Sequence, residues 1–158
     1  GAKLLYGDGT LQHAGMTLGI RGIVGHPGVG RAADDPGPYG ILSTTRRVSA
    51  VTGACMITRR DVFERLGGMN ESYVVEFNDV DYCLRAGSAG FAVICAAEGV
   101  LTHNGGATRQ NRPLREQEVR DRQLFIRQWG RMLIEDPYYP ADLTLKDDSL
   151  AFLTPRDR

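Results

Sequence analysis

Cysteine is scarce. Cys55, Cys83 and Cys95 are the only three, and no CxxC spacing occurs. A disulfide framework or a zinc knuckle is thereby unsupported. The apolar neighbours of each thiol (GACMI, DYCLR, VICAA) mark small buried hydrophobes, and a reduced cytoplasmic setting is expected. Excess charge is missing too: Lys+Arg and Asp+Glu are 19 each. No net field draws the chain to nucleic acid or anionic membrane. No apolar run approaches the ~20 residues of a membrane helix, and no leader pattern opens the chain, so no transmembrane segment is expected. Lysine is nearly absent, with Lys3 and Lys146 against 17 Arg. Arginine suits bidentate phosphate or carboxylate contacts, and a GC-rich bacterial genome supplies the same bias.

Known catalytic signatures are absent as well. There is no GxSxG, HExxH or Walker A sequence. Gly22, Gly25, Gly28 and Gly30 have the wrong spacing for a dinucleotide fingerprint, and Pro27 interrupts them. What is present is ordinary globular material: 158 residues, 42% apolar and 24% charged. That length predicts a single domain over 1–158, and 20 Gly predict many tight turns.

The pattern alternates strands with helices, which is α/β. KLLY and LQHAGMTLGI flank an Asp8-Gly9 turn signal. Residues 26–39 (HPGVGRAADDPGPY) read as a mobile surface loop. Residues 48–58 (VSAVTGACMIT) read as a strand buried on both faces. Thr58 and Asp61 resemble a capping box, opening a helix with Val62, Phe63 and Leu66 inward and Gly67-Gly68 at its end. A second helix is expected over 78–89, then strands at 91–95 and 99–103. The longest helix is expected over 114–134, with Val119, Ile126 and Leu133 recurring at seven and Phe125, Trp129 and Met132 on the same side. An irregular tail covers 137–158.

The stretch Glu76-Phe77-Asn78-Asp79-Val80-Asp81 carries the most chemistry. Two carboxylates two residues apart do not share a helix face, so one faces a cleft and the other serves the helix. Asn78 or Asp79 caps the helix in the plain structural reading. A carboxylate at a helix start also suits a general base or a metal ligand. His103 ends a strand before a glycine-containing loop, where a metal ligand, a phosphate donor and a hydrogen-bonded structural residue are all compatible. Arg109, Arg112 and Arg115 follow as a solvated patch or a phosphate clamp.

Taken in order, GAKLLYGDGTLQHAGMTLGI, VSAVTGACMITRRDVFERLGGMNE, EFNDVDYCLRAGSAGFAVICAAEGVLTH and DPYY resemble the glycosyltransferase family 2 enzymes of bacterial surface-polysaccharide synthesis, above all the rhamnosyltransferase-like members. The resemblance covers about residues 1–145. It implies the C-terminal, acceptor-side half of a GT-A fold, a mixed sheet with flanking helices, and a donor half with a DxD-type metal motif outside the chain. It also implies an inverting, metal-dependent hexosyltransferase that moves a sugar from a nucleotide-sugar donor to a glycan acceptor, in the cytoplasm or at the inner face of the membrane.

Residue by residue, the resemblance makes Asp79 the catalytic base. Thr52, Gly53, Ala54 and Asn78 lie against the acceptor, and Asp81 is a helix-packing or acceptor-binding partner. His103 ligates Mn²⁺ or Mg²⁺ on the diphosphate, and Arg109 reaches that diphosphate. The chain departs from the pattern after His103, where Asn104-Gly105-Gly106 replaces His-Glu-Ser. An isolated half is expected to bind no cation, to be inactive, and to pair as a homodimer through exposed KLLY and VSAVTGACMIT. A non-catalytic saccharide- or partner-binding module, and a structural piece of a glycan synthase, are the competing readings.

Overall fold

The computed structural model describes residues 1–105 and 113–155. Arg109 and Arg112 lie outside the described residues. The apolar run after Gly1 forms β1 (Ala2–Leu5), and the Asp8-Gly9 turn returns the chain as β2 (Leu11–His13). Asp8 makes that turn by accepting from the backbone and hydroxyl of Thr10 at 2.9 and 2.7 Å. Two further pieces, β3 (Thr17–Leu18) and β4 (Val24–Gly25), pair antiparallel as a separate ribbon. β5 (Arg46–Arg47) and the long β6 (Ile94–Thr102) complete a four-stranded sheet of order β2-β1-β6-β5. β1 runs antiparallel to β2 and parallel to β6, and β5 is antiparallel to β6. The architecture is therefore mixed α/β.

β1 lies inside this sheet. The edge expected at KLLY does not exist, because β2 and β6 cover both sides of the strand. Lys3 is buried within it and donates to the carbonyls of Ala33 and Leu42 at 2.8 and 2.9 Å. Those bonds also pin the 26–39 loop, as do Leu11 N–H to Arg31 O and Gly30 N–H to Leu11 O.

Residues 48–58 are not a strand. Val48, Ala50 and Val51 are buried, but ladder pairing stops there. The Thr52 hydroxyl accepts from Ala54 N–H, and Gly53–Cys55 turn as a short 3-10 segment. A side chain that competes for its own backbone's donors ends the extended run. Ile57 beyond it is 89% exposed. The two strands expected at 91–95 and 99–103 are one, β6.

The first helix, α1 (Arg60–Arg65), starts one residue later than the Thr58 cap predicts. Asp61 pairs with the Arg59 guanidinium at 2.6 Å instead of reaching back, and Thr58 bonds the Tyr82 hydroxyl at 2.7 Å. Its end is as expected. Gly67 and Gly68 have φ of 75° and 71°, which only glycine adopts without strain. α2 (Asn78–Ser88) matches its expected span within a residue and buries Val80, Cys83 and Leu84. α3 (Glu116–Trp129) is followed by a 3-10 turn, Gly130–Leu133. Its inner face is half the expected stripe. Phe125 is buried and Trp129 and Leu133 pack against the core, whereas Val119, Ile126 and Met132 are exposed and Glu118 and Asp121 are buried in their place. Buried acids are tolerated because each is bonded: Glu118 accepts from Arg115 N–H at 2.7 Å, and Asp121 from Gln117 at 2.9 Å and from backbone described below.

The main core joins Leu18, Val48, Val51, Tyr73, Val80, Leu84 and Phe125, and a second cluster joins Leu11, Ile41, Leu42, Leu143 and Leu150. The latter draws the irregular tail onto the body. Cys83 and Cys95 are buried and Cys55 is partly exposed. Burial pushes the Cys83 thiol up to about 11 and raises Cys95 as well. A thiol reagent at pH 8 should therefore label Cys55 alone in the folded chain and all three after denaturation. Stoichiometric labelling of Cys83 without denaturant would contradict this packing.

Candidate functional site

The segment ahead of α2 is bent by Phe77, whose φ of 67° and ψ of 0° are left-handed. That conformation costs a residue with a side chain about 1–2 kcal/mol. Its ring is held by stacking on Phe125, with centroids 4.7 Å apart and planes at 19°. Asp121, one turn earlier on α3, accepts from the N–H groups of Val75 and Glu76 at 2.7 and 3.0 Å. Burial pushes the Asp121 carboxyl up, but these donors and Gln117 outweigh it and leave the group below its ordinary value. Thus α3 clamps residues 75–77 and sets where the first turn of α2 begins.

That first turn presents Asp79 to a cleft of about 840 Å³. Both of its oxygens are fixed: Gly53 N–H donates to Oδ2 at 2.7 Å and Val80 N–H to Oδ1 at 2.8 Å. Asn78 turns its Oδ1 onto Asp79 N–H at 2.8 Å and lines the same cleft with Thr52, Gly53 and Ala54. A Cβ on Gly53 would stand 3.5 Å from the Asp79 Cβ, an ordinary contact, so the close approach itself does not demand glycine there.

Asp81 goes the other way. It is 0% exposed and takes bonds from Arg85 Nε at 2.8 Å, Gln128 Nε2 at 2.9 Å and Trp129 Nε1 at 3.0 Å. Of its two expected roles, only helix packing is compatible with that burial; the acceptor-binding role is corrected. The i, i+2 offset separates the two acids as helix geometry requires.

His103 lies on the rim of the Asp79 cleft. Gln12 Oε1 is 2.7 Å from its Nδ1, while Gln12 Nε2 donates to the His103 carbonyl at 3.0 Å. An amide oxygen only accepts, so Nδ1 carries a proton, and in the neutral ring Nε2 is then bare. A Cβ on Gly105 would meet this ring, so a larger residue there would have to move the imidazole. An imidazole nitrogen left bare on a ring that is oriented through its other nitrogen is a competent metal ligand. It is also a single one. Among the described residues no group of three or more His, Cys, Asp or Glu gathers to hold a cation, and Mn²⁺ or Mg²⁺ prefers several oxygens. The described residues do not make up such a site. Arg109 falls outside the described residues.

Most of the other lining residues were not singled out by the sequence, among them three titratable groups of the cleft wall. His13 on β2, His26 in the loop and Asp148 in the tail all line it, so every histidine of the chain meets there. Asp148 accepts from His26 N–H at 2.8 Å and pairs with Arg21 at 2.7 Å. The rarity of histidine was the available signal. The sequence could not show that a loop and a tail return to one wall.

Burial, with smaller contributions from the charges of His26, the N-terminus and Arg46, drives the His13 pKa well below the ordinary 6.5. Burial also lowers His26, against the pull of Asp148 and Asp79. The folded state then binds fewer protons than the unfolded one, so the stabilising contribution is present above pH 6.5 and is lost as pH falls from there through the folded values. The unfolding free energy, and the Tm with it, should fall between pH 6.5 and 5, by about 1.4 kcal/mol per pH unit for a fully depressed histidine. A flat Tm across that window would contradict the buried pair.

Compared with known proteins, the chain is 34% identical to the uncharacterised protein y4gI of Sinorhizobium fredii (strain NBRC 101917 / NGR234), covering 99% of this chain and 18% of that protein. It is 40% identical over 147 residues to the O-antigen biosynthesis protein RfbC of Myxococcus xanthus, covering 92% of this chain and 11% of that protein. A 64-residue stretch, 40% of the chain, is 36% identical to the N-acetylglucosaminyl-diphospho-decaprenol L-rhamnosyltransferase of Mycobacterium tuberculosis and covers 21% of it. No family model matches, and no solved structure matches. Among the described residues no helix is long and apolar enough to cross a membrane. The chain spans between about a tenth and a fifth of the length of the relatives it matches.

Proposed function

We propose that this chain is the acceptor-side part of an inverting glycosyltransferase of family 2, with a partial GT-A fold, acting in bacterial surface-polysaccharide synthesis. The observation that carries the reading is a carboxylate, Asp79, fixed by backbone donors at the mouth of a polar cleft. Similarity to proteins named for O-antigen biosynthesis and for rhamnosyl transfer supports it. In this reading the acceptor is a glycan hydroxyl, and Thr52, Gly53, Ala54 and Asn78 hold it. Asp79 takes the hydroxyl proton as the oxygen forms its bond to C1 of the donor sugar. The nucleoside diphosphate leaves from the opposite face of C1, which inverts that centre.

In this reading the nucleotide sugar is held by residues outside this chain, with its diphosphate toward His103 on the cleft rim. Arg109 is a candidate for the same diphosphate on the resemblance alone. The enzyme works in the cytoplasm or at the inner face of the membrane. Self-association of the isolated chain belongs to the same proposal, now through Val100 and Leu101 on β6, each about half exposed, rather than through β1. Sedimentation at several concentrations reads it, and a concentration-independent monomer removes it.

The function is tested in the full-length transferase by following sugar release from a panel of nucleotide sugars. Loss of transfer in Asp79→Asn supports the reading. Unchanged transfer in that variant overturns it, and saccharide binding without any transfer by the wild type favours the non-catalytic module.

A further inference from the structure

His13 and His26 are left unused by this chemistry, and they form a pair. Their Nδ1 atoms are 3.0 Å apart and their rings meet edge to face at 5.2 Å. Only one proton fits between two facing nitrogens. Gly15 N–H decides which ring supplies it, because it donates to His13 Nε2 at 3.3 Å. A nitrogen that accepts from a backbone N–H is bare, so the His13 proton sits on Nδ1. That proton points at His26 Nδ1, which must accept it, and the His26 proton is driven to Nε2. His13 is 1% exposed, and burial lowers the pKa of both rings, which favours the neutral pair.

The far side of the His26 ring is the side left for a ligand. His26 lines the cleft together with Asp79, and again an adjoining recess of about 290 Å³ shared with Thr52, Asn78 and Asp79. Among the described residues its Nε2 has no hydrogen-bond partner. An N–H donor and a carboxylate on one wall complement a group that both accepts and donates, which is a hydroxyl. An anion fits poorly. It would gain the N–H but face Asp79 and Asp148, and the Arg21 guanidinium is already paired with Asp148.

We propose that the His26 Nε2–H contacts the substrate, holding the oxygen of a sugar hydroxyl whose proton is turned toward Asp79, and that His13 is the positioning residue that fixes this tautomer. The identity of the ligand as a saccharide rests on the transferase reading above. The bond acidifies the hydroxyl and orients it, so that its proton leaves along the line to the carboxylate.

The test is a long-range proton–nitrogen NMR correlation on the chain labelled with ¹⁵N-histidine, with His26→Gln assigning the signals. The expected spectrum shows His26 protonated at Nε2 and His13 protonated at Nδ1. A panel of methyl glycosides of hexoses and 6-deoxyhexoses at millimolar concentration should move the His26 Nε2–H signal, and inorganic pyrophosphate should not. His26→Leu, which removes the donor, should weaken glycoside binding about tenfold or more, the effect of one lost buried hydrogen bond. His26→Gln can accept from His13 and still donate, and should restore most of that loss. A bare His26 Nε2, a response to pyrophosphate with none to any glycoside, or unweakened binding by His26→Leu overturns the proposal. The transferase reading fails separately, through Asp79→Asn turnover, whatever glycosides do at His26.

Discussion

Replacing Asp81 with alanine is expected to lower the unfolding free energy by about 3–5 kcal/mol, the cost of removing one partner from a buried ion pair. The carboxylate is fully buried and gathers three donors from two helices: Arg85 Nε, Gln128 Nε2 and Trp129 Nε1. Alanine strands all three. The Arg85 guanidinium keeps its bonds to the Leu66 and Gly68 carbonyls, yet it loses its counter-charge in a position where its side chain is only 22% exposed. Natural domains hold only about 5–15 kcal/mol in total, so this single change consumes a large share. The melting temperature should drop on the order of 10 °C for a chain of this size. Asp81→Asn is the informative companion, since it keeps the volume and one acceptor but turns an amide toward Arg85. It should fall between wild type and alanine. Should Asp81→Ala melt within a degree or two of the wild type, the packing role assigned here is wrong.

The same residue shows what was legible in the sequence. Spacing alone separates Asp79 from Asp81, because residues two apart on a helix diverge, and the structure sends one to the cleft and one to the core. The hairpin around Asp8-Gly9, the Gly67-Gly68 stop and the span of α2 were readable for the same reason: each rests on a local rule that tertiary contacts reinforce. The failures are equally specific. The run 48–58 looked like a buried strand because its composition is apolar, but strand formation needs a neighbouring ladder, and Thr52 diverts the backbone before one is found. The apolar face expected of α3 holds at Phe125, Trp129 and Leu133 but fails at Val119, Ile126 and Met132, which are exposed. The inner face of α3 also carries Glu118 and Asp121, since loop N–H groups and a helix terminus needed acceptors that apolar residues cannot supply. The His13–His26 pair was invisible, for its two members come from different segments and owe their protonation to a backbone donor at Gly15.

On the transferase reading proposed above, Asp79→Asn in the full-length protein is expected to cut turnover by about 10²–10⁴-fold, the usual contribution of a positioned general base. In barrier terms that is about 2.7–5.4 kcal/mol. The side chain keeps its size and its place between Gly53 and Val80, so binding of the nucleotide sugar should change little, and the loss should sit in kcat rather than in the KM for the donor. Some stability is lost as well. Both carboxylate oxygens accept backbone N–H groups, and an amide has only one oxygen, so one N–H must face the new NH₂. A cost of about 1–3 kcal/mol is expected from that mismatch. The measurement therefore has two parts: a melting curve to show that the variant is folded at the assay temperature, and steady-state kinetics with donor and acceptor varied separately. Asp81→Asn serves as the control, since its carboxylate faces the core and its turnover, where folded, should stay within a few-fold of wild type. The base assignment does not survive a folded Asp79→Asn protein with near wild-type kcat, nor one in which Asp81→Asn loses more turnover than Asp79→Asn does at equal folded fraction.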